Sequence, residues 1–318
     1  MTRAIGRTGP AIEVTGLTKV YGGRPVVGGL DLQIPAGEVF CLLGPNGAGK
    51  TTTVEILEGL RLRTSGSVTV LGEDPARYTR RFRNRVGVVP QSTGAFDDLR
   101  LTELLSHFAR VYSDPLPVAE VIDLVGLSAK STAVCRTLSG GQRRRVDVAL
   151  ALIGDPELIF LDEPTTGLDP EVRRQAWDVV RTLTERGTTT VLTTHYLDEA
   201  EALADRVGIM IAGRLVEVGP PELIGGRSDA AAVVSFHRSG ALRAAPLPPL
   251  PTGTQVSESE SGVELRTVEP TAVSGILIGW AEGLGTRELA GFGVHRPSLE
   301  DVYLRMISDQ HRTEAVAS

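Results

Sequence analysis

The sequence predicts an α/β protein with a parallel sheet, a helical insertion and a small α+β unit at its C-terminal end. Two short apolar runs, Val39 to Leu43 and Leu158 to Leu161, have the composition of parallel strands that are buried on both faces. A glycine-rich loop and then a helical apolar period follow the first run. From Leu99 to Val125 the apolar residues recur with helical spacing, which indicates the insertion.

The loop after the first run has the spacing Gly44-x4-Gly49-Lys50-Thr51, which is the P-loop motif. Glycines allow backbone conformations that a Cβ would forbid, so successive N–H groups can surround phosphate oxygens. Lys50 can reach the β- and γ-phosphates, and the Thr51 hydroxyl can ligate Mg²⁺. The alternative, a glycine-rich turn with a chance lysine, is disfavoured because a strand and a helix flank the loop correctly. The motif therefore predicts a nucleoside triphosphate site.

Composition limits the other classes of function. A chain of 318 residues has room for about two domains, and 41% hydrophobic residues suffice for a core. The net charge of −6 gives no reason to expect a nucleic-acid partner. Cys41 and Cys135 are the only cysteines, so no disulfide framework is expected and a reducing compartment fits. We find no signal-peptide pattern and no apolar run of about 18 residues that could span a membrane.

Two residues at strand ends are weaker candidates. Tyr21 ends a strand predicted from Ala11 to Val20, and its ring could stack on a purine, although strand-end tyrosines are common. Gln91 follows a strand predicted from Val86 to Pro90, and its carbonyl oxygen could ligate a metal ion. A single glutamine at such a place carries little weight alone.

The helical insertion ends in a glycine motif, and a third helix follows it. Two amphipathic helices, Leu101 to Tyr112 and Val118 to Val125, precede Leu138-Ser-Gly-Gly-Gln142, and a helix reaching Ile153 follows it. Ser139 and the glycines therefore lie at a helix N-terminus, which favours anions. The arginines 143–145 are interpreted as a solvated face.

Acidic residues and a histidine follow two neighbouring strands. Asp162 and Glu163 come directly after the second apolar run, at the strand end where ligands bind in α/β sheets. Asp162 can hold a metal ion, and Glu163 can accept a proton from water or orient it. A solvent-exposed acidic pair is the alternative. A strand from Thr188 to Thr194 leads to His195, which could reach a γ-phosphate, although lone histidines are more often structural.

These motifs together resemble the ATPase domain of ABC transporters. They are Gly44 to Thr51, Gln91, Leu138 to Gln142, Leu158 to Glu163, Leu168-Asp169 and His195, in the family's order and approximate spacing. The resemblance covers about residues 12–223, and no motif position departs from the pattern. It implies a P-loop ATPase domain over 11–225, with an N-terminal antiparallel β subdomain and a helical subdomain at about 93–140.

The resemblance also implies the ligands and the roles of the site residues. ATP and Mg²⁺ would bind, with Glu163 as the catalytic base and His195 at the γ-phosphate. Mg²⁺ would be held by Thr51, Gln91 and Asp162. The residues implied to contact nucleotide, or to act across a dimer on it, are Tyr21, Gly44, Pro45, Asn46, Gly47, Ala48, Gly49, Lys50, Thr51, Thr52, Gln91, Ser139, Gly140, Gly141, Gln142 and Asp169.

In this family the site is completed by a second copy. Ser139, Gly140 and Gly141 would act on ATP held by the opposite protomer, and Asp169 would communicate across that interface. A head-to-tail homodimer is therefore expected, closing on ATP and reopening after hydrolysis. The helical subdomain would transmit that motion to a separate transmembrane permease, so the chain would lie at the inner face of the cell membrane.

The remaining residues, 228–318, predict an α+β accessory domain. Strands are expected from Ala230 to Phe236 and from Val263 to Val268, with a helix from Thr271 to Leu284. Ser298 is expected to cap a last helix. The proline-rich run 246–251 fits a stiff loop or an SH3-type ligand. The run 297–304 resembles the closing motif of daunorubicin-resistance exporter ATPases.

The sequence thus predicts the ATPase subunit of an exporter for drug-like or lipid-like compounds. One alternative is a soluble ABC ATPase that acts on nucleic acid or ribosomes, against which stand the single cassette and the negative charge. Another alternative is an importer ATPase, which differs in its partner.

Overall fold

A computed structural model describes residues 9–89, 97–227, 230–259 and 262–317, with side chains up to residue 308. The chain divides into two compact units, Met1–Pro221 and Glu222–Ser318. Gln91 lies outside the described residues.

The first unit alternates strands and helices along the chain. Its strands are β1 Pro10–Tyr21, β2 Arg24–Pro35, β3 Val39–Leu43, β4 Ser65–Val70, β5 Val86–Val89, β6 Leu158–Asp162, β7 Thr189–Thr194, β8 Arg206–Ile211 and β9 Arg214–Gly219. Its helices are α1 Lys50–Leu57, α2 Arg80–Arg83, α3 Leu101–Ala109, α4 Val118–Leu124, α5 Gly140–Leu152, α6 Pro170–Glu185 and α7 Leu197–Leu203.

A mixed sheet carries the site. Among the described residues its strand order is β5-β6-β7-β3-β8-β9, parallel throughout except for the β8–β9 hairpin. Every residue of β3 and β7 is buried, as the continuous apolar and β-branched sequences of these strands require. Leu43 pairs with Thr194 and Asp162 pairs with Thr193. The register therefore brings the ends of β3, β6 and β7 to one edge.

A second sheet has the order β2-β1-β4 and is antiparallel. Its apolar residues, among them Ile12, Leu30 and Val70, belong to the same core as Phe40 and Phe160 of the mixed sheet. This sheet corresponds to the antiparallel β subdomain that the family resemblance implies. Burial of that shared face fixes the sheet beside β3 and the loop that follows it.

The segment between β5 and β6 is helical in the described residues, as predicted. Helix α3 ends at Ala109, one turn earlier than the predicted end at Tyr112. The Tyr112 ring instead packs against Gly154, where an added Cβ would lie 2.4 Å from ring atom Cε1. None of the helices in the described ranges combines the length and apolarity needed to cross a bilayer.

The second unit is α+β, as predicted. Its strands are β10 Ala232–Phe236, β11 Gln255–Glu258, β12 Val263–Thr267 and β13 Gly293–His295, and its helices are α8 Pro270–Gly283 and α9 Leu299–Ala317. The strands pair antiparallel in the order β11-β12-β10-β13.

One face of this four-stranded sheet packs against α8. Phe236 and Leu265 share a core with Leu277, and Leu247 and Leu250 of the proline-rich run pack against it. That packing favours a structural role for the run over the SH3-type ligand. The Ser298 hydroxyl accepts from the backbone N–H of Asp301 at 3.1 Å, which confirms the predicted cap of α9.

Candidate functional site

The P-loop lies between the end of β3 and the start of α1, and its glycines have distinct roles. A Cβ on Gly44 would lie 2.2 Å from the carbonyl oxygen of Met210, and one on Gly49 would lie 2.6 Å from that of Val26. Gly47 and Gly49 have φ of 81° and 98°, which only glycine adopts readily. The loop can therefore curl closely against the sheet because its glycines lack side chains.

Lys50 is buried inside that curl. Its side chain donates to the carbonyl oxygens of Gly44 at 2.7 Å and Pro45 at 3.2 Å, with 6% of the residue exposed. Burial lowers the pKa of Lys50, while the charges of Glu163 and Asp162 act in the opposite direction. An ammonium has three donors, and the described residues accept from two of them. The remaining donor fits a phosphate oxygen.

The outer positions of the loop are open to solvent. Asn46, Gly47 and Thr51 are exposed, Pro45 and Thr52 are half-buried, and Ala48 is buried. The exposed Thr51 lies in the first turn of α1, and its hydroxyl is an oxygen ligand of the kind that Mg²⁺ takes.

Asp162 ends β6 and is held by the neighbouring strand. The Thr193 hydroxyl donates to Asp162 Oδ1, leaving Oδ2 for another partner. Within the described ranges no three His, Cys, Asp or Glu side chains form a metal cluster. A single carboxylate beside a threonine hydroxyl fits Mg²⁺, which usually keeps several waters and shares substrate phosphates. These residues therefore fit the ion that the family implies.

Glu163 adopts an unusual backbone conformation at the strand end. Its φ of +44° is in the left-handed region, and its N–H donates to the Thr193 carbonyl at 3.1 Å. The Thr166 hydroxyl donates to Glu163 Oε2 at 3.0 Å. His195 Nδ1 lies 3.3 Å from Oε1, without hydrogen-bond geometry. The carboxylate and the imidazole thus face each other.

Arg144 contradicts the interpretation of 143–145 as a solvated face. Only 9% of it is exposed, and its guanidinium donates from Nε to the Pro164 carbonyl at 3.0 Å and from Nη2 to the Asp162 carbonyl at 2.9 Å. Gly141, Arg144 and Val148 form one buried stripe of α5. That helical spacing was a usable signal, but the charge of the triplet obscured it.

Sequence reasoning also missed a buried carboxylate beside His195. Glu199 is fully buried, and its Oε1 accepts from Trp177 Nε1 at 3.2 Å. Burial raises the pKa of Glu199, and contacts with Thr194 and Thr165 oppose that rise. The network joins α6, α7 and the end of β7. It therefore supports the backbone just before His195.

The Leu138–Gln142 motif begins α5, with Ser139 as its N-cap. The Gln142 N–H donates to the Ser139 hydroxyl at 3.3 Å, and the Ser139 N–H donates to Gln142 Oε1 at 3.0 Å. Ser139 and Gly140 are exposed, whereas a Cβ on Gly141 would lie 2.0 Å from Val172 Cγ1 of α6. Ser139 and Gly140 are thus accessible to an external ligand, and Gly141 is packed within the chain.

Asp169 and Tyr21 make local contacts. Asp169 Oδ1 caps α6, accepting from the backbone of Glu171 at 3.1 Å and Val172 at 3.0 Å. The Tyr21 hydroxyl accepts from Arg61, and Lys19 Nζ lies 4.8 Å from the ring centroid. The structure therefore groups Lys50, Asp162, Glu163 and His195, whereas Asp169 contacts the first turn of α6 and Tyr21 contacts Arg61 and Lys19.

Comparisons of sequence and structure identify relatives along the whole chain. The family model "ABC transporter" matches residues 27–166, and the model "ABC transporter domain-containing protein-like, C-terminal domain" matches 232–298. The daunorubicin/doxorubicin resistance ATP-binding protein DrrA of Streptomyces peucetius is 37% identical over 325 residues, with 96% of each chain covered. Nod factor export ATP-binding protein I of Ralstonia nicotianae is 38% identical over 319 residues, with 97% of each covered.

Solved structures agree with the fold. An ATP-binding subunit of an ABC transporter is 26% identical with a TM-score of 0.59, over 67% of this chain and 90% of that one. A dimeric ATP-binding cassette bound to ADP and phosphate has a TM-score of 0.59 at 24% identity, over 66% of this chain and 98% of that one. The fold and the family predicted from the motifs are confirmed. The chain belongs to the ABC transporter family, as one of its ATP-binding proteins with ATPase chemistry.

Proposed function

We propose that this chain hydrolyses ATP to drive export of a drug-like or lipid-like compound through a separate membrane permease. The observation that carries the proposal is the grouping of Lys50, Asp162, Glu163 and His195 at one sheet edge. Phosphoryl transfer to water uses a cation that binds phosphate, an oxygen ligand for a metal ion and a group that orients or deprotonates the water. Lys50, Asp162 and the Glu163–His195 pair can supply these groups.

Lys50 and the P-loop bind the triphosphate in this scheme. The backbone N–H groups from Gly44 to Thr51 surround the phosphates, and Lys50 donates its remaining N–H to them. Thr51 and Asp162 would hold Mg²⁺, which neutralises charge on the phosphate oxygens; Gln91 is a further proposed ligand. Tyr21, exposed at 39%, supplies a ring on which adenine can stack.

Glu163 acts as the general base and His195 as its neighbour at the γ-phosphate. The Glu163 carboxylate accepts the proton of the attacking water. Its backbone conformation and the hydrogen bond from Thr166 orient the carboxylate for this role. The His195 ring, 3.3 Å away, can donate to a γ-phosphate oxygen. Both groups are placed before the nucleotide binds, so little reorganisation is needed during the reaction.

The other half of the site comes from a second protomer. Ser139 and Gly140 are exposed at the N-terminus of a 13-residue helix, which suits the phosphates of a neighbouring ATP. Asp169 is the proposed contact across that interface. The chain would act as a homodimer beneath its permease, at the inner face of the membrane.

Export is supported by the names of two relatives. One relative is a drug-resistance ATP-binding protein and another is a Nod factor export ATP-binding protein. Both are matched over nearly their full lengths, including the C-terminal unit. This shared architecture favours an exporter over an importer or a nucleic-acid-dependent ATPase.

The variant Glu163→Gln tests the ATPase assignment. It should bind ATP like the parent but release phosphate at least about 100-fold more slowly, because a neutral amide cannot accept the proton. Glu185→Gln removes the same charge from an exposed position at the end of α6 and serves as the control. Equal phosphate release by Glu163→Gln and the parent would exclude Glu163 as the base.

Export needs its own test, with a candidate permease sought among membrane proteins encoded next to this chain. Inside-out vesicles containing both proteins should accumulate doxorubicin when ATP is added, and the Glu163→Gln variant should abolish that uptake. ATP-dependent uptake of a lipid-linked probe by the same vesicles, compared with doxorubicin uptake, distinguishes lipid-like from drug-like cargo. If no membrane complex forms and ATPase activity instead responds to ribosomes or DNA, the exporter proposal is wrong.

A further inference from the structure

Arg144 connects the helix that starts at Ser139 to the turn that carries Glu163. Its guanidinium donates to the carbonyl oxygens of Asp162 and Pro164 at 2.9 and 3.0 Å, on either side of Glu163. Arg144 lies one helical turn after Gly140. One rigid planar group therefore spans the start of α5 and the strand end.

The turn that Arg144 holds is strained. A glutamate at φ +44° costs about 1–3 kcal/mol relative to ordinary backbone, and such conformations persist only where surrounding contacts fix them. Thr193 fixes the amide side, accepting from the Glu163 N–H with its carbonyl and its hydroxyl, both at 3.1 Å. Arg144 holds the carbonyls of the residues before and after Glu163. The backbone that carries the Glu163 side chain is therefore held by both Thr193 and Arg144.

Burying the charged Arg144 guanidinium costs free energy, which its hydrogen bonds must offset. Burial lowers the pKa of the guanidinium, opposed first by the charge of Asp147 and then by those of Asp162 and Glu199. Asp147 Oδ2 lies 3.8 Å from Nη1 on the same helix. A buried guanidinium is stable where carbonyls accept its fixed fork of donors. Here those carbonyls bracket the proposed base.

We propose that Arg144 is a positioning residue that aims the Glu163 carboxylate and ties its direction to the placement of α5. The inference rests on the proposed role of Glu163 as base. Phosphate oxygens that bind Ser139 and Gly140 set the position of the first turn of α5. Because Arg144 bonds the Asp162 and Pro164 carbonyls, a shift of this turn of α5 moves the Glu163 turn with it. Nucleotide bound at Ser139 and Gly140 of one protomer thereby aligns Glu163 of that same protomer.

The first test compares Arg144→Met with Arg143→Met in the full-length protein with its permease. Arg144→Met should lower kcat on the order of 10–100-fold with KM for ATP within about twofold, as expected for a misplaced catalytic group. Arg143→Met is the control: the Arg143 Nε donates to the Leu138 carbonyl at 3.3 Å rather than to the carbonyls beside Glu163, so its kcat loss should be smaller than that of Arg144→Met. Arg144→Lys should fall between them, because one ammonium cannot span both carbonyls as a fork does.

ATP binding and thermal melting separate positioning from loss of structure. If Arg144→Met binds ATP like the parent and melts within a few degrees of it, a selective loss of kcat supports positioning. A parallel loss of ATP affinity and kcat in both Arg144 variants would overturn it, as would parent-like kcat in Arg144→Met. If Arg144→Met does not fold, the kcat and KM of Arg144→Lys decide the same question.

A double-mutant cycle with Ser139→Ala tests the link to α5. If Arg144 transmits the position of the Ser139 turn, the kcat loss of the double variant should be at least threefold smaller than the product of the single losses. Multiplicative losses would refute the coupling. Glu163→Gln run in parallel separates the two proposals: if it retains parental kcat, Glu163 is not the base, whatever the Arg144 variants show.

Discussion

Glu58 is a buried acid whose ionisation should destabilise the folded chain at neutral pH. It follows α1 directly and is 5% exposed. Burial raises the pKa of Glu58 to about 7, and the charges of Asp162 and Glu55 act in the same direction. The negative end of the α1 dipole adds to this effect. Glu58 also lines a cavity of about 410 Å³, with Arg80, Arg83, Asp147, Tyr78 and Tyr112 among the other ionisable lining residues.

The size and sign of the effect follow from the two pKa values. A rise from 4.5 to about 7 is about 2.5 units, which corresponds to about 3 kcal/mol in the free energy of unfolding. Because the folded pKa is raised, this stabilising contribution is complete below the unfolded pKa of 4.5 and is lost as pH rises through 7. The parent should therefore lose stability across that window relative to a variant that cannot ionise.

Glu58→Gln removes the ionisation and nearly preserves the shape. Thermal melting at pH 5 and pH 8 should show a small difference between variant and parent at pH 5 and a higher melting temperature for the variant at pH 8. Glu13→Gln, an exposed glutamate on β1, should show no such pH-dependent difference. If the Glu58→Gln difference is the same at both pH values, or larger at pH 5, the buried ionisation does not destabilise the fold.

Two further substitutions test the glycine motifs and the P-loop lysine. Lys50→Ala should lower ATP affinity at least tenfold, because it removes the buried ammonium that the P-loop encloses. Titration with a fluorescent ATP analogue measures the affinity, and an unchanged value would contradict the P-loop assignment. Gly141→Ala should destabilise the chain by about 1–3 kcal/mol, since its Cβ would meet Val172 Cγ1 at 2.0 Å, whereas Gly140→Ala has open space. Equal melting of these two variants would contradict that packing.

The sequence predicted the central strands and the P-loop because their signals are local. A strand buried on both faces must be apolar throughout, as β3 is from Val39 to Leu43. The P-loop has its residues in one short segment, so spacing alone is informative. Asp162 and His195 could be assigned to one sheet edge because parallel strands place their carboxyl ends together.

Features that depend on distant contacts were not predictable in the same way. The helical spacing of Arg144 with Gly141 and Val148 indicated a buried stripe, but the two carbonyls that accept its donors come from another segment, and nothing local reports them. The edge strand β11 is exposed at every residue, so it has no alternating pattern. The strand β13 has three residues and is too short for periodicity. Helix α6 was missed although its buried residues, Val179, Val180 and Leu183, do have helical spacing.

The strain at Glu163 explains why one strand end combines so many contacts. Glycine or asparagine would adopt its left-handed backbone at lower cost, but neither can accept a proton from water. The chain therefore has to stabilise glutamate there from outside, through Thr193 and Arg144, while Thr166 orients the carboxylate. Each contact comes from a different segment, so an error in any one of them changes the direction of the proposed base. Such an arrangement costs stability and gains a carboxylate whose direction is set before ATP binds.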